Sequence, residues 1–163
     1  MKIIGIDPGY ERMGVAIIEK ESSGKEHVVF SCCLRSNPKE SLQNRLLSIG
    51  KELRSIIQTY QPDAAAIEEL YFGKSSTTAM KVAEARGAIQ FILGEERVPV
   101  FEYHPSAIKI AITGYGSAKK DDLAFMLPKL VSFEPEKKID DELDAIAVAL
   151  THGAHTKTYP QLR

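Results

Sequence analysis

Within nine residues the chain lays down the stretch that most limits what it can become, Lys2-Ile3-Ile4-Gly5-Ile6-Asp7-Pro8-Gly9. The β-branched Ile3, Ile4 and Ile6 suit a buried strand, and Pro8-Gly9 is a turn dipeptide that ends it at once. Asp7 is thereby held on rigid backbone where the strand stops. An Asp before Pro-Gly also serves simply to open a turn, so this residue alone leaves both a structural and a chemical role open.

The pattern that follows sets the fold class. Met13 to Ile18 reads as a second strand and His27 to Leu34 as a third, with Glu21 to Lys25 as the polar hairpin turn between them. Beyond Asn37-Pro38, the residues Leu42, Leu46, Ile49, Leu53, Ile56 and Ile57 recur at threes and fours. With Glu40 three residues past Asn37, this predicts a capped amphipathic helix that ends at Gln61-Pro62-Asp63. Ala64 to Ile67 is a short buried strand delivering Glu68 and Glu69, and a helix over Thr77 to Leu93 follows. Val98 to Tyr103 is a fifth strand, in which Pro99 points to a sheet edge. His104-Pro105 opens a short helix with His104 as a cap, Ala118 to Leu130 forms another, and Asp140 to His152 the last. Hairpin-joined strands followed by strands alternating with helices predict an α/β layer sandwich with a five-stranded mixed sheet flanked by helices. One domain spanning 1–153 is expected, with 154–163 as a flexible tail because it lacks periodicity.

Charge and composition narrow the function. A chain of 163 residues with a formal net charge of −1 is no generically basic DNA coat, so a polyanionic partner would have to meet a local basic patch. The apolar run from Ala145 to Leu150 is too short to cross a bilayer, and the N-terminus lacks a charged-then-apolar leader, so a cytoplasmic location is expected. Cys32 and Cys33 are adjacent, which suits neither a disulfide framework nor a metal site, and they are expected as core thiols.

The acids carry the chemistry. Asp7 and Glu68 each end a predicted buried strand, and strand carboxyl ends face the ligand crevice of open α/β sheets. Asp141 and Asp144, three apart at the head of an all-apolar helix, share a face and can point into the same crevice. Acids at a helix start also suit its dipole, which accounts for Asp140, Asp141 and Glu142 better than for Asp144. Asp140 and Asp144 share a face as well, and Asp140 is expected as the N-cap, leaving Asp141 for the crevice. Four close carboxylates would repel unless a cation bound them, and hard divalent ions with oxygen ligands, Mg²⁺ or Mn²⁺, are natural guests. From the residues alone, a metal-dependent phosphoryl site stands beside a structural acid cluster and an ATP site. The length of the chain counts against an actin-like or sugar-kinase ATPase, which needs two domains around its nucleotide.

In their order and spacing, Gly5-Ile6-Asp7-Pro8-Gly9, Ala66-Ile67-Glu68, Ala85-Arg86-Gly87, Pro99 to Tyr103, Gly114 to Lys120 and Asp141 to Ala145 resemble the RuvC family of Holliday-junction resolvases. The resemblance covers nearly the whole chain. It implies a ribonuclease H-like fold, a homodimer, and active sites with two Mg²⁺ each that nick opposite strands of four-way junction DNA during recombination and repair. It also implies a partnership with a branch-migration motor of the RuvA and RuvB type. The family's catalytic acids fall on Asp7, Glu68, Asp141 and Asp144, and its lysines near the scissile phosphate on Lys109 and Lys120. The family's junction-contacting aromatic falls on Tyr71, with Phe72 beside it, where an exposed ring would stack on an unpaired base. Lys74, Lys81, Arg86 and Lys119 complete the expected DNA surface. The segment Tyr10 to Gly14 is also reminiscent of the smaller YqgF-like nucleases, which lack the later motifs, and a junction-binding protein without cleavage would be expected to miss an acid.

Overall fold

The computed structural model describes residues 1–21, 26–69, 76–133 and 139–156. Its strands are β1 (Lys2–Asp7), β2 (Arg12–Lys20), β3 (Glu26–Arg35), β4 (Ala64–Glu68) and β5 (Val100–Tyr103). Its helices are α1 (Leu42–Tyr60), α2 (Ser76–Glu95), α3 (Pro105–Thr113), α4 (Lys120–Leu130) and α5 (Asp140–His155). The strands form one mixed sheet in the order β3-β2-β1-β4-β5. β1 runs antiparallel to β2 and parallel to β4, and β4 runs parallel to β5. Pro99 does precede an edge strand, with its carbonyl accepting from the Ala65 amide at 2.8 Å.

Alternation along the strands divides the core in two. Ile3, Ala16, Ile18 and Ala66 face α3, α4 and α5, while Ile4, Ile6, Val15, Ile17, Ala65 and Ile67 face α1 and α2. The all-apolar character of α5 follows from its place: every residue from Ala145 to Gly153 is buried. Two glycines let that helix lie directly on the sheet. A Cβ on Gly5 would collide with the Ala145 carbonyl, and one on Gly14 with the Asp141 carbonyl, so the head of α5 is seated over the ends of β1 and β2.

Several expectations move. The cap of α1 is Ser41, whose side chain accepts from the Asn44 amide at 3.3 Å. Asn37 instead makes a local turn, its Oδ1 accepting from the Lys39 amide at 3.0 Å, so its cap-forming oxygen is already engaged. Ile139, not Asp140, is the N-cap of α5, and Asp140 is the first helical residue. α5 also runs to His155, past the expected domain end at 153; positions 157–163 of the expected tail lie outside the described residues. Cys32 and Cys33 are only half-buried because β3 is an edge strand. His104 caps α3 as expected, its Nδ1 accepting from the Ser106 amide at 3.2 Å. Among the described residues no helix is long and apolar enough to cross a membrane.

Candidate active site

Asp7 and Glu68 meet because β1 and β4 are parallel neighbours in the register Ile6 to Ile67, which places both strand-end carboxylates side by side. Asp144 reaches the same cleft from α5. Together with Lys109 of α3 and Lys120 of α4, these three acids line a cleft of about 400 Å³ whose apolar wall includes Ile108, Leu123 and Val148. Lys120 Nζ donates to Asp144 Oδ2 at 3.1 Å. Asp141 stands one turn earlier on α5, off the cleft lining, where its carboxylate is ion-paired with Arg12. The Cys33 thiol lies 3.8 Å from the same oxygen.

The electrostatics record the crowding of acids. Burial first, then the charges of Asp144, Glu68 and Asp141, push the Asp7 carboxyl from its ordinary 3.8 up to about 7, with Lys120 opposing. Glu68 is raised as well, by burial and then by Asp144, while Lys120, Lys109 and His104 act against the shift. Lys120 is held more firmly protonated by its hydrogen bond to Asp144. Burial and the surrounding acids thus hold Asp7 toward its protonated form, and a divalent cation would oppose both effects. Four carboxylates offer hard oxygen donors and no sulfur or imidazole, which fits Mg²⁺ or Mn²⁺ rather than a softer ion. As the side chains stand, no three His, Cys, Asp or Glu among the described residues close on a common point that could hold an ion. Two of the four acids are instead engaged by protein cations, Asp144 by Lys120 and Asp141 by Arg12.

The expected DNA-facing residues separate. Lys109 and Lys120 line the cleft, and Lys119 stands beside it as the N-cap of α4. Lys81 lies over the Tyr10 ring, 5.3 Å from its centroid, and does not line the cleft. Arg86 does not line the cleft; its guanidinium donates to Glu102 of β5 at 2.6 Å, and its side chain is 14% exposed. Tyr71, Phe72 and Lys74 lie outside the described residues.

A brace behind the turn after Asp7 was not foreseen. Arg45 of α1 is buried, and its guanidinium stacks over Tyr10 at 4.8 Å from the centroid. Its Nε donates to Ser36 Oγ at 2.8 Å, and Ser36 Oγ donates to the Tyr10 carbonyl at 2.7 Å. Glu11 is 3.5 Å from the same guanidinium. The turn that follows Asp7 is therefore tied to α1 by one buried arginine. The signal was available, since Arg45 continues the buried stripe Ile49, Leu53, Ile57 one turn upstream. No comparable signal marks Arg12.

The family model of the crossover junction endodeoxyribonuclease RuvC matches residues 3–152. The chain belongs to the RuvC family. Among curated relatives, the RuvC of Petrotoga mobilis is 42% identical over 159 residues, covering 98% of this chain and 97% of its own. That of Desulforamulus reducens is 40% identical over 159 residues, with the same coverage of 98% and 97%. A solved structure of T. thermophilus RuvC in complex with a Holliday junction substrate superposes with a TM-score of 0.90 at 28% identity, covering 97% of this chain and 96% of that one. The five-stranded mixed sheet flanked by helices is accordingly the ribonuclease H-like fold of the RuvC resolvases.

Proposed function

We propose that this RuvC-family chain resolves four-way DNA junctions by hydrolysing phosphodiesters on opposite strands, with Asp7, Glu68, Asp141 and Asp144 as its metal ligands. The observation that carries the reading is the convergence of Asp7, Glu68 and Asp144 with Lys109 and Lys120 on one cleft, beside Asp141 on the same helix head. The family's nucleases depend on a divalent metal; two Mg²⁺ per site, or Mn²⁺ in their place, suits this donor set. When bound, such ions polarise the scissile phosphate and lower the pKa of the attacking water. The protein supplies the rest. The sheet fixes the backbone that carries Asp7 and Glu68, whereas the Asp144 and Asp141 carboxylates would have to leave Lys120 and Arg12 to ligate. Lys109 and Lys120 hold non-bridging phosphate oxygens against the acids, and the apolar wall of Ile108, Leu123 and Val148 limits water on the far side of the cleft. The RuvC of T. thermophilus has been captured with a Holliday junction substrate, and the same substrate is assigned to this chain. Paired cuts across a two-fold junction call for a homodimer, and delivery of the crossover to the site for a branch-migration motor of the RuvA and RuvB type in the cytoplasm.

A protein that only binds junctions would have no use for all four acids, each of which is present. The test is cleavage of a synthetic four-way junction with and without Mg²⁺. Glu68→Gln should bind the junction at least as tightly as the wild type, because a negative charge facing DNA is gone, yet fail to nick it. Loss of binding together with nicking, in a variant that still folds, would reject the assignment.

A further inference from the structure

Arg12 stands at the head of β2, just past the Pro8-Gly9 turn, and its side chain is 45% exposed against 20% for Asp141. The backbone beneath Asp141 is pinned, because Gly14 packs against its carbonyl. Only the carboxylate can therefore choose between Arg12 and the cleft three residues along the helix. We propose that Arg12 competes with the metal for Asp141: it holds the carboxylate off the cleft, must release it before Asp141 can ligate, and so sets the metal concentration at which the site fills. This rests on the reading of the four acids as the metal ligands. A guanidinium stays charged at any working pH, and an oxygen engaged by its N–H donors is not presented to an ion. The pair is partly exposed, so the competition has the size of a surface ion pair, a factor of a few in affinity. Removing Arg12 also takes a positive charge from beside an arriving dication. An arginine that merely oriented Asp141 for ligation would have the opposite effect, and its loss would weaken metal binding.

The experiment counts Mn²⁺ bound to the DNA-free protein by electron paramagnetic resonance of the free ion. Arg12→Gln should bind Mn²⁺ roughly two- to tenfold more tightly than the wild type. In an Asp141→Asn background the gain should shrink to the part that comes from removing a nearby positive charge, since the contested carboxylate is gone. Unchanged or weaker binding by Arg12→Gln, or an equal gain in the Asp141→Asn background, overturns the competition. The wild type separates this from the underlying reading. If it bound no Mn²⁺ and nicked junctions without a divalent ion, the metal reading and the competition would fall together; if it showed normal metal dependence but no Arg12 effect, the competition alone would fall.

Discussion

Asp7 is the residue whose state depends most on what else occupies the site. Folded, it keeps its proton up to about pH 7; unfolded, it gives that proton up near its ordinary 3.8. Between these values the folded chain binds more protons than the unfolded one, so the contribution of Asp7 to stability falls as pH rises through the window and is flat above it. Glu68, also raised, adds the same sign. In chelator, the melting temperature should therefore drop from about pH 5 to about pH 8, and Asp7→Asn should flatten that slope and melt above the wild type at the higher pH. Mg²⁺ should raise the wild-type melting temperature more at about pH 8 than at about pH 5, where protons compete for the same oxygens. Scanning calorimetry reads all three, and an Asp7→Asn variant that melted below wild type at the alkaline end would contradict the origin of the shift. The register of the acidic run can be tested at this scale too. Asp141 is among the charges that raise Asp7, and Asp140, the first residue of α5, is exposed. Asp140→Asn should leave single-turnover nicking within a few-fold of wild type, and Asp141→Asn should lower it by orders of magnitude; the reverse ranking would move the ligand by one residue.

Elements carry the site by their seating, and here the sequence was informative in some places and silent in others. The strand-end acids were legible because a strand cut off by a turn leaves its last side chain at the sheet edge, and β1 and β4 are short enough to show both ends. The helix starts were less legible, since Asn37 and Ser41 both have cap chemistry and only the fold shows which backbone amides each one meets. Asp140 was misplaced by one residue for a related reason: an apolar Ile139 occupies the cap without a side-chain hydrogen bond, against residue preference. Arg86 stood in a motif, yet its partner Glu102 lies on another element, and such a pairing has no signature along the chain. Nor did spacing reveal that α5 touches the sheet through Gly5 and Gly14. That contact gives an element-scale test. Gly14→Ala places a methyl group against backbone at Asp141, which cannot swing away as a side chain would, so α5 must lift. The cost should be about 1–3 kcal/mol of stability, with nicking falling well beyond what the lost folded fraction explains. Denaturant melts paired with single-turnover rates would show it, and a variant as active as wild type would mean that the helix head can shift without moving its acids.

At the scale of the molecule, the face opposite the cleft-bearing helices is the one left to explain. α2 turns Ile89, Ile92 and Leu93 inward onto the sheet, while Met80 at 63% and Phe91 at 66% exposure face outward, with Leu47 of α1, 55% exposed, near Phe91. Between the two helices runs a groove of about 260 Å³ lined by Leu46, Leu47, Gly50, Ala88, Phe91 and Ile92 together with Lys51 and Arg54. Large exposed apolar side chains around a groove mark a surface that is covered in use, and the proposed pair of symmetric cuts would be met by a second copy seated there. In an isologous contact the same Phe91 is used twice, once from each protomer, so one substitution disturbs the interface in two places. Phe91→Asp should weaken dimerisation by about 30-fold or more, the scale of a buried aromatic anchor, without touching any acid of the cleft. Sedimentation velocity at micromolar concentration should then show monomers where the wild type shows dimers. On a cruciform plasmid, the variant should release singly nicked circles in place of the linear product of coordinated cuts, because each site still holds its ligands but no longer acts beside a twin. A Phe91→Asp protein that sediments as a dimer would place the interface elsewhere, and one that is monomeric yet still linearises the plasmid in a single encounter would remove dimerisation as the source of paired cleavage.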